Sequence, residues 1–354
     1  MADFINGLTL NQLFYEEIVV PILQTHFSDL RYSAALIGWG SEVLGYDDLQ
    51  STDHNWGPRF QLFLNKQDHE KYHGSIIHVL NDRLPSEFRG YPTIFPLVIN
   101  DVASLPRHNI DVEIISEFFG GYIGCDPYHE IEAVDWLTFP EHKLLAITSG
   151  KVFYDGLEEL ESIRQKFRYY PRDVWLYMLA AQWTKISEEE AFVGRCGYVG
   201  DKLGSMLIAA RQVKNLMRLC FLIERKYAPY SKWFGTAFSH LDCAKELSPI
   251  LMQVLQAGEW RVRQELLAKA YEIVARMHNA LGVTIPLKEA AIQYHGRPYL
   301  VTGDDRYVQE LRKSVKSEEV RNIKHALGSV NQFVDLNDLL NDLDLQEKLK
   351  ILYT

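Results

Sequence analysis

A turn of small residues precedes two oxygen-bearing side chains at a spacing suited to phosphate chemistry. The apolar run over residues 34–37 predicts a buried strand that ends at a Gly-Trp-Gly-Ser turn containing Gly40 and Ser41. Asp53 and Asn55 follow after eleven further residues, before a second strand predicted over residues 59–64. Alternate residues of a strand share one face, so both side chains are expected to point back towards the turn. Oxygen ligands beside exposed backbone N–H groups could together hold a hard cation and a polyphosphate.

This pattern resembles the signature of the DNA-polymerase-β-type nucleotidyltransferases. That signature joins a hydrophobic strand, Gly-Gly or Gly-Ser, roughly ten residues, and Asp-x-Asp or Asp-x-Glu on the next strand. More closely, the segment STDHNWGPR, residues 51–59, is similar to the motif STDHDWGPR of a bacterial family of proposed nucleotidyltransferases that is catalogued as a domain of unknown function. Residues 189–204 and 226–238 are similar to the same family, so the resemblance covers most of the chain.

The resemblance implies a two-ion Mg²⁺ site and a nucleoside triphosphate substrate, for which ATP is expected. The family pattern gives Asp53, Asn55 and Glu113 as metal ligands and catalytic residues. Glu113 lies in an alternating segment, residues 111–115, that predicts a strand. Asp111 shares its strand face and is the substitute for the third ligand.

Asn55 departs from the family pattern, which has an aspartate at this position. An asparagine can ligate a metal through its amide oxygen, but it brings no charge. The departure indicates either a weakened or inactive member of the family or a deliberate replacement. His54 alternates away from Asp53 and is interpreted as a packing residue.

Phosphate contacts are expected from both halves of the chain. Gly40 and Ser41 would bind the β- and γ-phosphates through backbone N–H groups and the Ser41 hydroxyl. Arg59 could reach phosphate or pair with a nearby acid. In related transferases the helical half supplies a basic residue to the triphosphate and an aromatic wall to the base, which implies Lys232 and Tyr230 here.

Two further groups in the second half carry charge. Arg211, Lys214 and Arg218 recur at helical spacing and should share one broad face, with Arg211 expected to contact the nucleotide. Glu190 ends a run of three glutamates. By analogy with antibiotic nucleotidyltransferases it is a candidate general base, and a solvated acidic face is the alternative.

Composition indicates a globular protein. The 354 residues are 47% hydrophobic and 24% charged, and the net charge of −10 argues against a nucleic-acid-gripping surface. Four widely spaced cysteines predict reduced thiols. We find neither a signal peptide nor an apolar stretch of membrane-spanning length, so a cytoplasmic location is expected, with no membrane partner.

The predicted fold is an α/β (α+β) nucleotidyltransferase-like domain with a mixed sheet over residues 1–154, followed by an all-α domain over 155–354. In the first domain, helices are predicted over residues 9–27, 42–49 and 67–84, and a hairpin joins strands over 144–148 and 151–154. Five helices are predicted between residues 158 and 281. The tail, residues 334–353, reads as an acidic amphipathic helix packed on the body or on a partner subunit, which leaves a homodimer open.

These features favour an enzyme that moves a nucleoside monophosphate from a nucleoside triphosphate to a hydroxyl or phosphate acceptor. The active site is expected in the cleft between sheet and helices. A small-molecule acceptor is favoured because an acidic chain attracts a cationic one. The alternatives are transfer to an RNA end or a protein side chain, and a nucleotide-binding protein that has lost catalysis.

Overall fold

The structure is a computed structural model that describes residues 4–52, 56–95, 98–99, 102–103, 107–303 and 305–354. Two compact units divide the chain. Unit 1 comprises residues 1–130 and 143–168, and unit 2 comprises residues 131–142 and 169–354. The predicted domain boundary between residues 154 and 155 stays a prediction.

A mixed sheet lies at the centre of unit 1. The strands of unit 1 within the described residues are β1 (Ser33–Leu36), β2 (Arg59–Leu64), β3 (Glu87–Phe88), β4 (Tyr91–Pro92), β5 (Ile94–Phe95), β6 (Val98–Ile99), β7 (Val102–Ala103), β8 (Arg107–Ile114) and β9 (Lys151–Asp155). The main sheet has the order β5-β8-β2-β1-β9, in which β8 runs parallel to β2 and the other neighbours are antiparallel. The predicted mixed sheet is therefore confirmed.

Strands β1 and β2 are buried along their whole length. Such burial is expected for central strands that are covered on both faces, and it explains why apolar residues predominate in both, beside the buried Ser33, Arg59 and Gln61. Strand β8 instead alternates buried and more accessible residues, so one of its faces is open. This open face carries the polar residues of the strand predicted over 111–115, which in the structure begins earlier, at Arg107, and ends at Ile114.

Helices make up most of the remaining structure. Within the described residues they are α1 (Gly7–Phe14), α2 (Val20–His26), α3 (Lys66–Arg83), α4 (Ile115–Ile123), α5 (Ala133–Thr138), α6 (Glu141–Thr148), α7 (Leu160–Lys166), α8 (Arg172–Glu189), α9 (Phe192–Tyr198), α10 (Lys202–Ile223), α11 (Ser231–Ser239), α12 (Ala244–Gln256), α13 (Trp260–Ala280), α14 (Arg306–Ser314), α15 (Glu318–Asn322), α16 (Val330–Phe333), α17 (Asn337–Asn341) and α18 (Leu343–Leu349). A π-helical segment, Tyr15–Val19, joins α1 to α2. The helices predicted over residues 9–27 and 67–84 and the five predicted between 158 and 281 are confirmed, with shifted ends.

Two predicted elements of unit 1 are wrong. Residues 41–45 form turns rather than the start of a helix. Residues 144–148 belong to helix α6, so no hairpin precedes β9, which pairs with β1 instead. A short apolar run cannot distinguish a buried strand from a buried helix segment by periodicity alone. Gly150, at φ +70°, makes the turn from α6 into β9, and its N–H donates to the carbonyl of Val43 at 2.9 Å.

Unit 2 is mostly helical. Its described strands are the short antiparallel pair β10 (Ile292–Gln293) and β11 (Leu300–Val301). The tail is not one helix, because α17, α18 and a 3-10 turn over Lys350–Tyr353 follow one another. The Tyr353 hydroxyl is buried and donates to the carbonyl of Gly328 at 2.8 Å, which fixes the end of the chain to unit 2.

The four cysteines carry free thiols, and Cys220 is the buried one. Across the described part of the chain, no helix combines the length and apolar composition that crossing a bilayer requires.

Candidate active site

Two carboxylates on β8 lie in one pocket of unit 1. The parallel register sets Gln61 opposite Asp111 and Phe63 opposite Glu113. Asp111 and Glu113 share a strand face, as predicted from their spacing, and they line a pocket of about 370 Å³. The full lining is Trp39, Gln61, Asp111, Glu113, Glu117, Phe118, Gly121 and Tyr122.

Glu113 is the carboxylate most affected by its surroundings. Burial, together with the negative charges of Asp111 and Glu117, raises its pKa to about 7. Its Oε2 atom is buried and has no hydrogen-bond partner among the described residues. A carboxylate held in this way is suited to a cation, since a bound cation would supply the missing partner and restore the ionised form.

We expect Glu113→Gln to stabilise the metal-free protein above neutral pH. Glutamate has an ordinary pKa of 4.5 and Glu113 one of about 7 in the fold, so the unfolded chain releases the proton first as pH rises. The free energy of unfolding of the wild-type protein therefore decreases as the pH rises from about 4.5 to about 7. At about pH 8 the free energy of unfolding of the variant should exceed that of wild type by about 1–3 kcal/mol, and at about pH 4 this gain should vanish.

Urea unfolding across this pH range, without divalent cations, measures the effect. Glu70→Gln is the matched control, because Glu70 is an exposed acid on α3. A Glu113→Gln variant whose unfolding free energy keeps a constant offset from wild type at every pH would contradict the buried-carboxylate account.

The turn that follows β1 borders the same pocket. Gly38 and Gly40 have φ angles of +84° and +120°, which favour glycine, and the Gly38 N–H donates to the carbonyl of Ala146 at 3.0 Å. A Cβ atom on Gly40 would meet the carboxylate of Glu42 and the guanidinium of Arg59. Within the described residues, the N–H groups of Gly40 and Ser41 donate no hydrogen bond.

A buried ion pair holds this turn in place. The Nε atom of Arg59 donates to Glu42 Oε1 at 2.9 Å, and its Nη2 atom donates to the carbonyl of Trp39. Glu42 is only 2% exposed, so this acid belongs to the interior rather than to the surface. The sequence left two roles open for Arg59, a contact to phosphate and a pair with a nearby acid. In the structure Arg59 pairs with an acid. Removing one partner of a buried pair leaves an unpaired charge, so the pair constrains the turn strongly.

Trp39, Glu117 and Tyr122 are among the pocket residues that the sequence analysis missed. The Trp39 side chain is 57% exposed and packs edge-on against Tyr122, with ring centroids 4.9 Å apart. Tyr122 stacks on Phe118, and Glu117 lies in the first turn of α4. Trp39 could have been predicted, because it lies inside the turn that the sequence had already indicated as part of the site. No sequence pattern indicated Glu117 or Tyr122, because their placement in the pocket depends on α4 starting at Ile115.

Asp53, His54 and Asn55 lie outside the described residues. Among the residues that the structure does describe, no group of three or more histidine, cysteine, aspartate or glutamate side chains could hold a metal ion. The predicted roles of Asp53 and Asn55 therefore stay predictions. The donors that are described, the oxygens of Asp111 and Glu113, are of the hard type that Mg²⁺ prefers.

Unit 2 contains two adjoining cavities of about 380 and 280 Å³. Both are lined by Lys214, Arg218, Asn331 and Asp335. The larger has an aromatic and apolar side that consists of Pro229, Tyr230, Phe234, Val334 and Leu340. The smaller adds further charged groups, which are Lys185, Glu188, Glu189 and Arg211. The prediction that Arg211, Lys214 and Arg218 share one face is confirmed.

Each cation of these cavities has an acceptor. Lys214 donates to both carboxylate oxygens of Asp335 at 2.8 Å, and this contact lowers the pKa of Asp335. Arg211 pairs with Glu189 at 2.6 Å. The Lys185 ammonium donates to a backbone carbonyl, and burial lowers its pKa. The Lys214–Asp335 pair is exposed, so solvent screens it and an anionic ligand can compete with it.

Arg218 is held more firmly than the other cations. Its Nη1 atom lies 3.3 Å from a carboxylate oxygen of the buried Glu141, and its guanidinium lies over the ring of Phe234 at 5.5 Å. Arg218 therefore offers a fixed positive charge at the boundary between the charged and aromatic sides of the larger cavity.

The remaining predicted residues have different surroundings. Lys232 is exposed and its ammonium lies 4.7 Å from the centre of the Trp233 ring, whereas Tyr230 lines the larger cavity. Glu190 is buried, and its carboxylate accepts from the N–H of Thr302 at 2.6 Å, so the solvated-face interpretation was wrong for this residue.

Comparison with known proteins gives limited matches. The model of a family described as a domain of unknown function (DUF4037) matches residues 136–234, which include Glu190, Arg211, Tyr230 and Lys232. None of the curated proteins matches the chain. A crystal structure of a nucleotidyltransferase-like protein from Exiguobacterium sibiricum 255-15 is similar with 10% sequence identity and a TM-score of 0.32, over 78% of this chain and 83% of that chain.

Proposed function

We propose that this protein is a Mg²⁺-dependent nucleotidyltransferase that moves a nucleoside monophosphate from a nucleoside triphosphate, ATP first, to a small molecule bearing a hydroxyl or phosphate acceptor. One observation carries the proposal. Two acidic side chains on β8, Asp111 and Glu113, share a pocket with the turn that follows β1, and the turn leaves two N–H groups without acceptors among the described residues. Carboxylates and backbone donors together suit a metal-bound polyphosphate.

The carboxylate side of the site would hold the metal. Glu113, with Asp53 and Asn55, supplies the oxygen ligands in this proposal, and Asp111 is the substitute for Glu113. Bound Mg²⁺ would neutralise charge on the phosphates and on the attacking oxygen. Glu113 must be ionised to act as a ligand, and its pKa of about 7 makes binding compete with protonation.

The turn would hold the phosphates. Gly40 and Ser41 would donate backbone hydrogen bonds to the β- and γ-phosphates, together with the Ser41 hydroxyl. The Glu42–Arg59 pair positions the turn before the substrate arrives, because Arg59 also binds the carbonyl of Trp39. A preorganised donor site avoids reorganisation during transfer.

In unit 2, the adjoining cavities supply a mixed surface suited to a phosphorylated ligand with a flat apolar part. We propose that Arg211 and Lys214 contact phosphate, with Lys232 as the further basic residue and Tyr230 against the base. The aromatic side of the larger cavity and the fixed charge of Arg218 support this role. Of the proposed residue roles, that of Glu190 as general base has the least support, since its carboxylate already accepts a backbone hydrogen bond.

A transfer assay tests the proposed function. The protein is incubated with nucleoside triphosphates labelled at the α-phosphate, Mg²⁺ and acceptors that include aminoglycoside-like cations, sugar phosphates, RNA and protein. Label should appear on a small molecule. Label on RNA or protein would favour those acceptors, and tight binding of ATP without transfer to any acceptor would favour the nucleotide-binding alternative, for which the uncharged Asn55 is the specific observation.

Lys214→Ala and Lys232→Ala should each raise the dissociation constant for ATP by about tenfold or more. A charge-assisted contact to phosphate contributes about 1.5–3 kcal/mol net, which corresponds to that change. Titration calorimetry measures the constants, with Lys245→Ala as the control because Lys245 is an exposed lysine on α12 that lines neither cavity. A folded variant whose constant equals that of wild type removes its lysine from the site.

A further inference from the structure

Gln61 is a buried polar residue at the centre of the unit 1 sheet. It lies on β2, with Asp111 of β8 directly opposite on one side and Ala35 of β1 directly opposite on the other. The residue is only 4% exposed, and it lines the pocket that contains Asp111 and Glu113. Central strands usually carry apolar side chains at such depth, so an amide at this position indicates a polar role.

One end of the Gln61 amide is fixed by the backbone. Its Oε1 atom accepts a hydrogen bond from the N–H of Ile37 at 3.2 Å, directly after the end of β1. A backbone N–H can only donate, so this contact assigns the amide oxygen to the β1 side. The Nε2 atom is therefore directed away from β1, to the pocket that Gln61 lines.

The Nε2 atom donates to no acceptor across the residues that the structure describes. A buried donor of this kind is costly, because it has lost its contact with water and has gained no hydrogen bond. The described lining of the pocket contains three acids, Asp111, Glu113 and Glu117, and no lysine or arginine. A cation here would pair with these acids, whereas the neutral amide has made no such pair and suits a ligand oxygen.

The sheet order places Gln61 between the two halves of the proposed site. Strand β2 lies between β8, which carries Glu113, and β1, which leads into the turn with Gly40 and Ser41. Neighbouring strands are about 4.8 Å apart, so the amide stands between the proposed metal ligand and the proposed donors to the β- and γ-phosphates. The α-phosphoryl group of a triphosphate has the same intermediate position, because it is joined to the β-phosphate on one side and receives the acceptor oxygen on the other.

We propose that Gln61 is a further catalytic residue, whose Nε2 atom donates a hydrogen bond to a non-bridging oxygen of the α-phosphoryl group. This inference rests on the proposed nucleotidyl transfer. In that reaction the acceptor oxygen bonds to the α-phosphorus as the bond to the pyrophosphate oxygen breaks. Pyrophosphate takes the electron pair, and the proton of an acceptor hydroxyl passes to water. The amide gains and loses no proton, and it stabilises the charge on the non-bridging oxygen in the transition state.

Gln61→Met should lower kcat by about a hundredfold and change the dissociation constant for ATP by no more than a few fold, because it removes one donor to the transition state. Gln61→Glu keeps an acceptor for the Ile37 N–H but also lacks the donor, so it should be at least as slow. Gln67→Glu, at an exposed residue of α3, should transfer at the wild-type rate. A folded Gln61→Glu protein with the wild-type kcat would overturn the role.

Nuclear magnetic resonance of the side-chain amides tests the contact without turnover. The wild-type protein is isotope-labelled at the side-chain nitrogen of glutamine, and Gln61→Glu assigns the Gln61 signal by its loss. Saturating α,β-methylene-ATP with Mg²⁺, which cannot be transferred, should shift one Gln61 amide proton downfield. The signal of the exposed Gln67 should stay in place. Pyrophosphate with Mg²⁺, which has no α-phosphoryl group, should leave the Gln61 signal unshifted.

The outcomes separate the role of Gln61 from the proposed function, because titration calorimetry measures binding of the analogue in parallel. An analogue that binds and leaves the Gln61 signal unshifted overturns the role and leaves the proposed transfer in place. A shift of equal size with pyrophosphate does the same, because it places the amide on the departing phosphates. An analogue that does not bind overturns both proposals.

Discussion

Glu113→Gln should lower the kcat/KM of nucleotidyl transfer by about a thousandfold or more, which corresponds to about 4 kcal/mol of transition-state stabilisation. The amide has the same shape but lacks the charge that binds a cation. The loss should fall mainly on turnover, since the donors of the turn after β1 are unchanged and would still bind the phosphates. The dissociation constant for ATP should therefore change by no more than a few fold.

The assay for this result compares matched acids. Asp111→Asn, measured beside Glu113→Gln, decides which of the two residues on β8 is the third ligand, because the residue whose loss costs more turnover is the ligand. Glu70→Gln should transfer at the wild-type rate. If Glu113→Gln and Asp111→Asn both transfer as fast as wild type, then the pocket beside the turn is not the active site.

Asn55→Asp should raise turnover by orders of magnitude while it leaves nucleotide affinity within a few fold of wild type. In the proposed site, the substitution introduces the aspartate of the motif that residues 51–59 resemble, in place of a side chain that offers only a neutral oxygen. An interaction made mainly in the transition state changes turnover rather than ground-state binding. The wild-type chain should thus bind ATP with Mg²⁺ and yet transfer slowly.

Two readouts check the Asn55 prediction. The first is the labelled transfer assay with both proteins side by side. The second is the affinity for Mn²⁺ in the presence of ATP, followed by electron paramagnetic resonance, which should increase in Asn55→Asp whether or not an acceptor has been found. Equal turnover and equal Mn²⁺ affinity in the two proteins would mean that position 55 is not a metal ligand.

The predictions from sequence succeeded where one periodicity dominated. The strands β1 and β2 are mostly apolar, and the alternation of residues 111–115 identified the face that carries Asp111 and Glu113. Because the other face of β8 is buried, both side chains lie on the open face and line the same pocket. The long helices of unit 2 were predicted for the same reason, since amphipathic spacing over twenty residues admits few alternatives.

Predictions failed where tertiary contacts decided the outcome. Glu42 looks like any surface acid in the sequence, and its burial depends on the distant Arg59. The five residues before Ser149 are apolar enough for a strand, but they complete α6. Glu190 belongs to a glutamate run, and its burial follows from the contact with Thr302 in the short β11 region. Local patterns do not encode such long-range pairings.

The two cavities of unit 2 show the same limit. Helical spacing placed Arg211, Lys214 and Arg218 on one face, but their acceptors come from separate parts of the chain. Asp335 and Glu141 lie more than seventy residues away from their partners, Lys214 and Arg218. The sequence therefore predicted the cations and not the acids that hold them.

The most direct test of the central claim is a crystal structure of the protein with Mn²⁺ and a non-hydrolysable ATP analogue, measured at an anomalous wavelength for manganese. We expect a manganese peak in coordination with the carboxylates of Glu113 and Asp53, and a triphosphate that accepts hydrogen bonds from the N–H groups of Gly40 and Ser41. An ordered analogue and manganese ion bound elsewhere, with Glu113 ligating neither, would contradict it.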